Sequence, residues 1–314
     1  MPIVERDPWR LQYFATVACP DDLVIPTDDG DAWGLFPDHR WVYDKLRVAA
    51  SQGLACAPHG VPPEHYPVFS KPLMNLRGMG IGSRTLRSAA DYARHQQPGH
   101  MWMTLLAGEH VSTDVAVAQG RPCWWRHVVG HARPGGTFDR WTIEAASRPA
   151  LEAYCGAWVT RWLGGFTGIA NFETIGGRII EVHLRMSDQW PDLYGPGWVE
   201  AVVELHATGR WTFRDDARRD GHSVVLFAPH GGRHRRPADA LQQAIRALPG
   251  ISSLQITFDP KRPPGQHAMP PGGFRLAIVN GWNLAAGRAA RRALAVAFGL
   301  ETVAKKRIYP PRPL

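Results

Sequence analysis

The fold of this chain is decided by the stretch Asn171-Phe-Glu-Thr-Ile-Gly-Gly-Arg-Ile-Ile-Glu-Val-His-Leu-Arg185. It predicts two strands joined by a tight turn at Gly176-Gly177, because a Gly-Gly pair between β-favouring residues is a hairpin signal. Alternation along the second strand then separates the polar side chains from the apolar ones. Two faces result: one carries Glu181, His183 and Arg185, and the other carries Ile180, Val182 and Leu184.

Two carboxylates of this stretch are candidates for a metal site. Glu173 precedes Glu181 by eight residues (181 − 173 = 8), so one extra residue in the turn brings the two side chains opposite each other on neighbouring strands. Like charges that face each other across strands repel, and a cation between them removes the penalty. Oxygen ligands suit a hard ion such as Mg²⁺, which commonly bridges protein carboxylates to nucleotide phosphates. The alternative is a half-exposed hairpin with ordinary surface charges.

Length and composition are those of a globular protein with two or three lobes around a shared cleft. The chain has 314 residues, of which 44% are hydrophobic and 20% are charged. It has no run of about 18 apolar residues, so we expect no membrane span, and its N-terminus lacks the features of a secretory signal. The cysteines are scattered without a CxxC pair: Cys19, Cys56, Cys123 and Cys155. We therefore expect reduced thiols and a cytoplasmic location.

The net charge of +8 indicates an anionic partner, either nucleic acid or a small molecule. Apart from clusters at 233–236 and 305–307, the positive residues are dispersed. Neither cluster is interleaved with aromatic residues as a single-strand binding surface would be. We therefore expect a nucleotide phosphate site and no nucleic-acid partner, with a basic nucleic-acid-binding module as the alternative.

A second group of segments has the composition of a phosphate-binding site. The stretch 41–50 has a helical pattern that begins near Asp44, and 66–72 predicts a strand that carries Lys71 at its end. A glycine-rich loop follows at 75–84, where backbone amides can approach an anion closely. This arrangement matches neither the GxxxxGK[ST] loop nor the GxGxxG fingerprint, so neither a P-loop nor a dinucleotide fold is supported.

The next segments predict an apolar slot. After a helix-like stretch at 85–95, residues 100–106 are mostly apolar, the chain bends at Gly108, and an alternating strand begins near His110. An apolar slot beside hydrogen-bonding backbone suits a flat base such as adenine. The alternative is a buried pair of strands with no ligand.

Taken in order, these segments resemble the ATP-grasp superfamily over roughly residues 40–190. The resemblance rests on the Asp44-Lys45 helix start, Lys71-Pro72 with its glycine-rich loop, the Gly108-Glu-His turn and the hairpin that ends in Glu181-Val-His-Leu-Arg185. It implies an α+β (α/β) ATP-grasp fold, in which two lobes clamp a nucleotide under a glycine-rich lid. The expected domains are a shortened N-terminal lobe and linker helix at 1–65, a lid subdomain at 66–118, a core with the metal-binding hairpin at 119–215, and a small C-terminal α+β lobe at 216–314.

The resemblance also implies roles for individual residues. Contacts to ATP are expected from Lys45, Lys71, Arg77, Gly78 and Gly80 at the phosphates, from Met103, Thr104, Leu105 and Leu106 as the adenine hinge, and from His110 at the ribose. Metal ligands are expected from Glu173, Glu181, His183 and Asn171, and catalytic roles from Arg185 and Arg126, with His127 as a further contact. The implied cofactors are ATP and Mg²⁺.

Three features depart from the family pattern. Relatives usually continue Glu-x-Asn-x-Arg, whereas His183 replaces the asparagine here, and an imidazole ligand allows Mn²⁺ as an alternative to Mg²⁺. Only 43 residues of the sequence precede Asp44, so the resemblance leads us to expect a shortened first lobe. Gln189 stands where the biotin-carboxylase branch keeps an acid, so biotin carboxylation is rejected. The shortened lobe holds acidic residues that either form turns or make an amine-substrate site: Asp21, Asp22, Asp28, Asp29 and Asp31.

The function implied is that of an ATP-dependent carboxylate–amine ligase, which works through an acyl phosphate and releases ADP and phosphate. Two alternatives stay open: an ATP-grasp phosphotransferase, and a degenerate protein that binds nucleotide without ligation. The expected partners are small-molecule carboxylate and amine substrates, with no membrane partner and a homodimer as the default assembly. Arg236 and Arg275 of the C-terminal lobe either reach the active site or are structural.

Overall fold

A computed structural model describes residues 3–5, 7–76, 80–232, 234–261 and 270–300. Its strands are β1 (Ile3–Val4), β2 (Ile25–Pro26), β3 (Cys56–Pro58), β4 (Val68–Pro72), β5 (Arg84–Leu86), β6 (His100–Thr104), β7 (His110–Ala118), β8 (Arg121–Arg133), β9 (Thr137–Ile143), β10 (Gly168–Ile175), β11 (Arg178–His183), β12 (Gly221–Ala228), β13 (Ile251–Ile256) and β14 (Phe274–Gly281). Its α-helices are α1 (Asp29–Leu35), α2 (Lys45–Ala50), α3 (Ala89–His95), α4 (Pro149–Trp162), α5 (Trp198–Thr208), α6 (Asp239–Arg246) and α7 (Leu284–Ala297). Short 3₁₀ turns lie at Leu11–Tyr13, Arg40–Tyr43, Pro134–Gly136 and Pro191–Leu193.

Two antiparallel sheets organise the described chain, which confirms the predicted α+β class. The larger sheet has eight strands in the order β11-β10-β7-β8-β9-β12-β14-β13, and the smaller has four in the order β3-β6-β4-β5. β1 and β2 form a separate parallel pair. Within the described ranges, no helix combines the length and the apolar character that crossing a membrane requires.

The larger sheet is packed on both faces, because successive side chains of a strand point to opposite sides. On one face, Phe172 of β10 packs with Trp158 of α4. On the other, Val128 of β8 packs in the same cluster as Trp198 of α5. This two-sided packing specifies the register of the strands, since a slip of one residue would exchange the two faces.

The predicted hairpin is confirmed, with β10 and β11 on either side of Gly176-Gly177. Both glycines have positive φ, at 56° and 77°, a conformation that side chains rarely adopt. The turn also lies against the loop that precedes β7, where a Cβ on Gly108 would come within 2.9 Å of the Gly176 Cα. Gly176 N donates to Glu109 O at 3.0 Å. Glycine is therefore required on both sides of this contact.

Two local predictions about the segments expected to bind phosphate are also confirmed. α2 begins at Lys45, and the Asp44 carboxylate caps it by accepting from the amides of Leu46 and Arg47. An aspartate at this position satisfies amides of the first turn that have no partner within the helix. β4 ends at Pro72 and carries Lys71 beside it.

Other predicted boundaries do not coincide with the observed elements. The helix-like stretch 85–95 begins as β5, which pairs with β4, and α3 starts only at Ala89, after Ser88 caps it. β7 falls within the lid predicted at 66–118, but it is a strand of the larger sheet. β3 falls within the N-terminal lobe predicted at 1–65, but it is a strand of the smaller sheet. β12 pairs with β9, so the strands predicted to form a separate C-terminal lobe continue the larger sheet. Strand pairing joins segments that are distant in sequence, so it cannot be predicted from local sequence patterns.

We expect Phe172→Ala to lower the free energy of unfolding by about 3–5 kcal/mol, because it removes a fully buried aromatic ring from the contact with α4. Chemical denaturation followed by circular dichroism measures the change. Thr160→Ala, at an exposed position of α4, is the control and should shift stability by no more than about 0.5 kcal/mol. Equal losses in the two variants would contradict the assignment of this face to the core.

Candidate nucleotide and metal site

The site is built around two glutamates that face each other on the hairpin. Glu173 of β10 lies directly opposite Glu181 of β11. The register shifts just after this pair, since Thr174 is opposite Ile179 and Ile180 is left as an extra residue. The predicted opposition of the two carboxylates is therefore confirmed, but the extra residue forms a bulge in β11 and does not lie in the turn, where Ile175 pairs directly with Arg178.

The same bulge overturns the prediction for one apolar residue. Ile179, not Ile180, joins Val182 in the core behind the sheet. Ile180 packs instead on the side of the smaller sheet, against the cluster that contains Met103. An extra residue in one strand shifts the alternation by one position, which turns Ile180 towards the cleft.

Three basic side chains from separate elements surround the carboxylate pair. Lys45 Nζ, from the first turn of α2, lies 2.6 Å from Glu181 Oε1. His110 Nε2, from the start of β7, lies 3.0 Å from Glu173 Oε2. Lys71 Nζ, from the end of β4, donates to the Ile180 carbonyl at 2.7 Å. Helix α2, the smaller sheet and the larger sheet thus converge at the hairpin.

Burial and charge shift the pKa values of these groups in opposite directions. Burial raises the pKa of Glu173, but the hydrogen bond from His110 and the charges of His110 and Arg185 outweigh it and hold the pKa below its ordinary value. For His110, burial lowers the pKa, but the hydrogen bond to Glu173 and the charges of Glu173 and Glu181 together outweigh it, so the net shift is upward. Lys71 is 2% exposed, and burial lowers its pKa to about 8 despite the nearby charge of Glu181. Its charge can therefore be lost at mildly alkaline pH.

Asp29, at the start of α1, ties the polar face of β11 to the N-terminal segment. His183 Nδ1 lies 3.0 Å from each Asp29 carboxylate oxygen. Arg185 places Nε 3.1 Å from Asp29 Oδ1 and donates from Nη2 to Oδ2 at 3.2 Å, while Nη1 donates to the Met186 carbonyl at 3.2 Å. Burial raises the pKa of Asp29, but the charge of Arg185 and the hydrogen bonds from His183 and Arg185 outweigh it and hold the pKa well below its ordinary value. Arg185, predicted to hold a substrate carboxylate, is thus paired with a carboxylate of this chain.

His183 Nε2 is a buried polar atom that has no hydrogen-bond partner within the described ranges. It lies 3.7 Å from Glu181 Oε2 and 4.0 Å from Glu173 Oε1. Among the described residues, no group of three or more His, Cys, Asp or Glu side chains is already arranged to hold a metal ion. Each glutamate has one oxygen in an ion pair, Glu181 with Lys45 and Glu173 with His110. The other oxygen of each glutamate faces His183.

The remaining predicted metal ligand, Asn171, lies opposite His183 in the hairpin. Its side-chain nitrogen donates to Ser112 Oγ at 2.9 Å and to Asp114 Oδ1 at 2.7 Å. Asp114 is fully buried, and burial raises its pKa to about 6 although it also accepts from Ser187 and Tyr194. The role of Asn171 as an oxygen ligand stays a prediction.

The predicted adenine hinge begins at the end of β6, which contains Met103 and Thr104, and continues into the loop with Leu105 and Leu106. Met103 is buried, and Leu106 packs against the same cluster as Ile180, whereas Leu105 is 39% exposed. The Thr104 amide donates to the Ala55 carbonyl at 2.9 Å. An apolar wall beside the hairpin is therefore present, while base binding by these residues stays a prediction.

The glycine-rich loop is described only in part. Arg77 and Gly78 lie outside the described residues, so their predicted phosphate contacts stay predictions. Gly80 is described and has a φ of +61°, in the left-handed region that favours glycine.

Arg126 lies in the core of the larger sheet. Its side chain is 1% exposed, donates from Nη2 to Asp215 Oδ1 at 2.6 Å, and lies over the ring of Tyr194. The neighbouring His127 bonds Thr113 and Glu152. Arg126 Nε has no hydrogen-bond partner within the described ranges. A catalytic role for Arg126 stays a prediction, since its side-chain contacts named above are to Asp215 and Tyr194 and not to the hairpin glutamates.

Arg275 of β14 is a buried cation that the sequence indicated only in general terms. It is 8% exposed, its Nη1 lies 3.5 Å from Gln189 Oε1, and its Nε has no hydrogen-bond partner in the described part of the chain. Burial lowers its pKa to about 10, and the charge of Arg10 adds to that effect. Gln189 follows Arg185 by four residues (189 − 185 = 4), so Arg275 faces the loop that leaves the hairpin. Its position could not be inferred from sequence, because β14 is distant from β11 in both the chain and the strand order.

Comparison with known proteins identifies likenesses in structure only. No protein-family model matches the chain, and no curated protein does. Many solved structures are similar to it, among them the following three. N5-carboxyaminoimidazole ribonucleotide synthetase from Thermus thermophilus is 14% identical, with 91% of this chain and 84% of that one covered and a TM-score of 0.58. L-amino acid ligase from Bacillus licheniformis is 13% identical, with 81% and 69% covered and a TM-score of 0.57. Phosphoribosylamine–glycine ligase from Thermotoga maritima is 15% identical, with 89% and 84% covered and a TM-score of 0.57.

We expect the affinity for ADP to fall between pH 7 and pH 9. Lys71 is cationic below a pKa of about 8 and neutral above it, so its attraction to phosphate is lost as the pH rises. Lys71→Met keeps a similar volume without the charge and should bind ADP about 10-fold to 150-fold more weakly at pH 7, with a flat profile to pH 9. Calorimetric titration at several pH values measures both effects. A variant that keeps the wild-type pH profile would show that another group is responsible.

Proposed function

We propose that this chain, which has the ATP-grasp fold, is an ATP-dependent carboxylate–amine ligase. The observation that carries the proposal is the opposition of Glu173 and Glu181 on a hairpin surrounded by Lys45, Lys71 and His110. Two carboxylates and two lysines at one point suit a nucleotide phosphate chain with a divalent ion better than an apolar ligand or an uncharged substrate.

The residues have complementary tasks in this proposal. Lys45 and Lys71 hold the phosphate groups of ATP, and the wall formed by Met103 and Leu106 receives the base. Glu173 and Glu181 hold the divalent ion, which, when bound, neutralises charge on the phosphates. Mg²⁺ is the expected ion, with Mn²⁺ as an alternative because of His183.

The chemistry proposed is activation of an acid by phosphorylation. A substrate carboxylate oxygen attacks the γ-phosphorus of ATP, the bond from that phosphorus to the β,γ-bridging oxygen breaks, and ADP leaves. The amine nitrogen then attacks the acyl carbon, the bond to the phosphate oxygen breaks, and the amine proton passes to a base as phosphate departs. The chain contributes orientation and charge, and Arg275 is our candidate to hold the substrate acid, since it is buried and its Nε has no partner within the described ranges.

An amino acid is the first substrate to test in both roles. One structural neighbour is described as an L-amino acid ligase and another as a phosphoribosylamine–glycine ligase, so amino-acid carboxylates and amines are suitable starting chemistry. The assay measures ADP release from ATP in pairwise mixtures of L-amino acids.

A protein that binds nucleotide without ligation is the second candidate. The pairing of Arg185 with Asp29 favours it, because the guanidinium expected to receive a substrate carboxylate already has one. A phosphotransferase would release ADP with a single acceptor, whereas the ligase requires an acid and an amine together. ADP binding without ADP release from any pair supports the non-ligating protein.

We expect Glu181→Gln to weaken Mg²⁺-dependent binding of ATP at least about 10-fold, because it removes one of the two opposed carboxylates. Calorimetric titration with and without Mg²⁺ measures the loss. Glu200→Gln, at an exposed position of α5, is the matched control and should leave binding unchanged. If wild type and Glu181→Gln bind ATP equally well in Mg²⁺, the assignment of the hairpin as the metal site is wrong.

A further inference from the structure

The side chains of Asp29, His183 and the two hairpin glutamates form a connected line. Asp29 accepts from Arg185 Nη2 at 3.2 Å and lies 3.0 Å from His183 Nδ1. A carboxylate that pairs with a guanidinium is a hydrogen-bond acceptor, so the short contact to the ring requires the proton to be on Nδ1. Asp29 therefore selects one tautomer of His183.

The selected tautomer leaves a lone pair on His183 Nε2. This atom is buried and has no hydrogen-bond partner among the described residues. Its nearest polar atoms are carboxylate oxygens, Glu181 Oε2 at 3.7 Å and Glu173 Oε1 at 4.0 Å. A proton on Nε2 would favour a charge-assisted bond of about 2.7–2.9 Å to one of them, and neither distance is that short.

Three acceptors that face one another in a partly buried place repel one another unless a cation lies between them. The other oxygens of the two glutamates already have donors, because Lys45 takes Glu181 Oε1 and His110 takes Glu173 Oε2. One oxygen of each glutamate and one ring nitrogen thus point to a shared volume. A cavity of about 10 Å³, about the room that one water needs, is lined by Lys45, Glu181 and His183 but not by Glu173.

The donor set decides which ion fits. Ligands about 2.1 Å from an octahedral ion lie about 3 Å apart, so a small rotation of either glutamate would complete the set. Two carboxylate oxygens and one imidazole nitrogen suit a first-row transition ion better than Mg²⁺, which prefers oxygen alone. A carboxylate on the far nitrogen of a metal-binding histidine orients the ring and increases its basicity.

We propose that His183 is a nitrogen ligand of the divalent ion at Glu173 and Glu181, that Asp29 is its positioning residue, and that this nitrogen makes the site prefer Mn²⁺ to Mg²⁺. The proposal deepens the proposed function, on which it rests for the presence of a divalent ion beside the nucleotide. The hairpin supplies the ligands of the ion, and the N-terminal segment orients one of them, since Asp29 lies in α1.

The decisive experiment is pulsed electron paramagnetic resonance of the full chain with Mn²⁺ and ADP. Direct coordination by His183 gives a ¹⁴N coupling to the Mn²⁺ electron spin, and this coupling changes to that of ¹⁵N when the histidines are ¹⁵N-labelled. The coupling should disappear in His183→Asn, whose amide offers an oxygen in place of the ring nitrogen. Bound Mn²⁺–ADP without nitrogen coupling in the wild type overturns the proposal.

Calorimetric competition between Mn²⁺ and Mg²⁺ tests the selectivity. His183→Asn should lower the Mn²⁺ to Mg²⁺ affinity ratio, and Asp29→Asn should weaken Mn²⁺ binding about 10-fold to 100-fold while a nitrogen coupling persists at saturating Mn²⁺. Thermal unfolding establishes that the variants are folded; should Asp29→Asn unfold, the wild-type and His183→Asn spectra still decide the proposal. An unchanged affinity ratio in folded His183→Asn contradicts it.

These outcomes separate this proposal from the proposed function. ADP binding with Mg²⁺ and no nitrogen coupling with Mn²⁺ removes the histidine ligand and leaves the nucleotide site standing. Nitrogen-coupled Mn²⁺ in a chain that binds neither ATP nor ADP keeps the histidine ligand and removes the ligase.

Discussion

The opposition of Glu173 and Glu181 is the constraint on which the arrangement of this protein depends. Two like charges on adjacent strands destabilise the hairpin unless positive groups approach them. The fold supplies Lys45 from α2 and His110 from β7, and it brings Lys71 of the smaller sheet to the same turn. Helix α2 and strands from both sheets therefore meet at the hairpin, and their charged side chains lie together there.

The same strands carry both the site and the core, which limits how the chain can vary. Phe172 lies between Asn171 and Glu173 on β10, and it packs into the core behind the sheet. A shift of register would bury the glutamates and expose the aromatic ring. The bulge at Ile180 is tolerated because it turns one apolar residue towards the cleft, where Met103 and its neighbours cover it.

The N-terminal segment contributes to the site through a single carboxylate. Asp29 pairs with both His183 and Arg185, the two positions of β11 and its continuation whose side chains are expected to meet ion and substrate. A neutral residue at 29 would leave Arg185 as a partly buried cation without its counter-ion, which is costly. Within the described ranges, the Nε of Arg275 on β14 is a buried guanidinium nitrogen without a partner, and this is where we propose that a substrate acid binds.

The sequence by itself determined the hairpin, the facing glutamates, the capped start of α2 and the lysine at the end of β4. Each depends on residues close together in the chain: a Gly-Gly turn, an eight-residue spacing, an aspartate before a helix and a proline after a strand. Only the tertiary structure decided that Asp29 holds His183, that Arg126 pairs with Asp215, that Arg275 faces Gln189 and that β12 joins β9. Those contacts join segments far apart in sequence, and side-chain pairing across such separations is set by how the sheets close and pack, which no local pattern records.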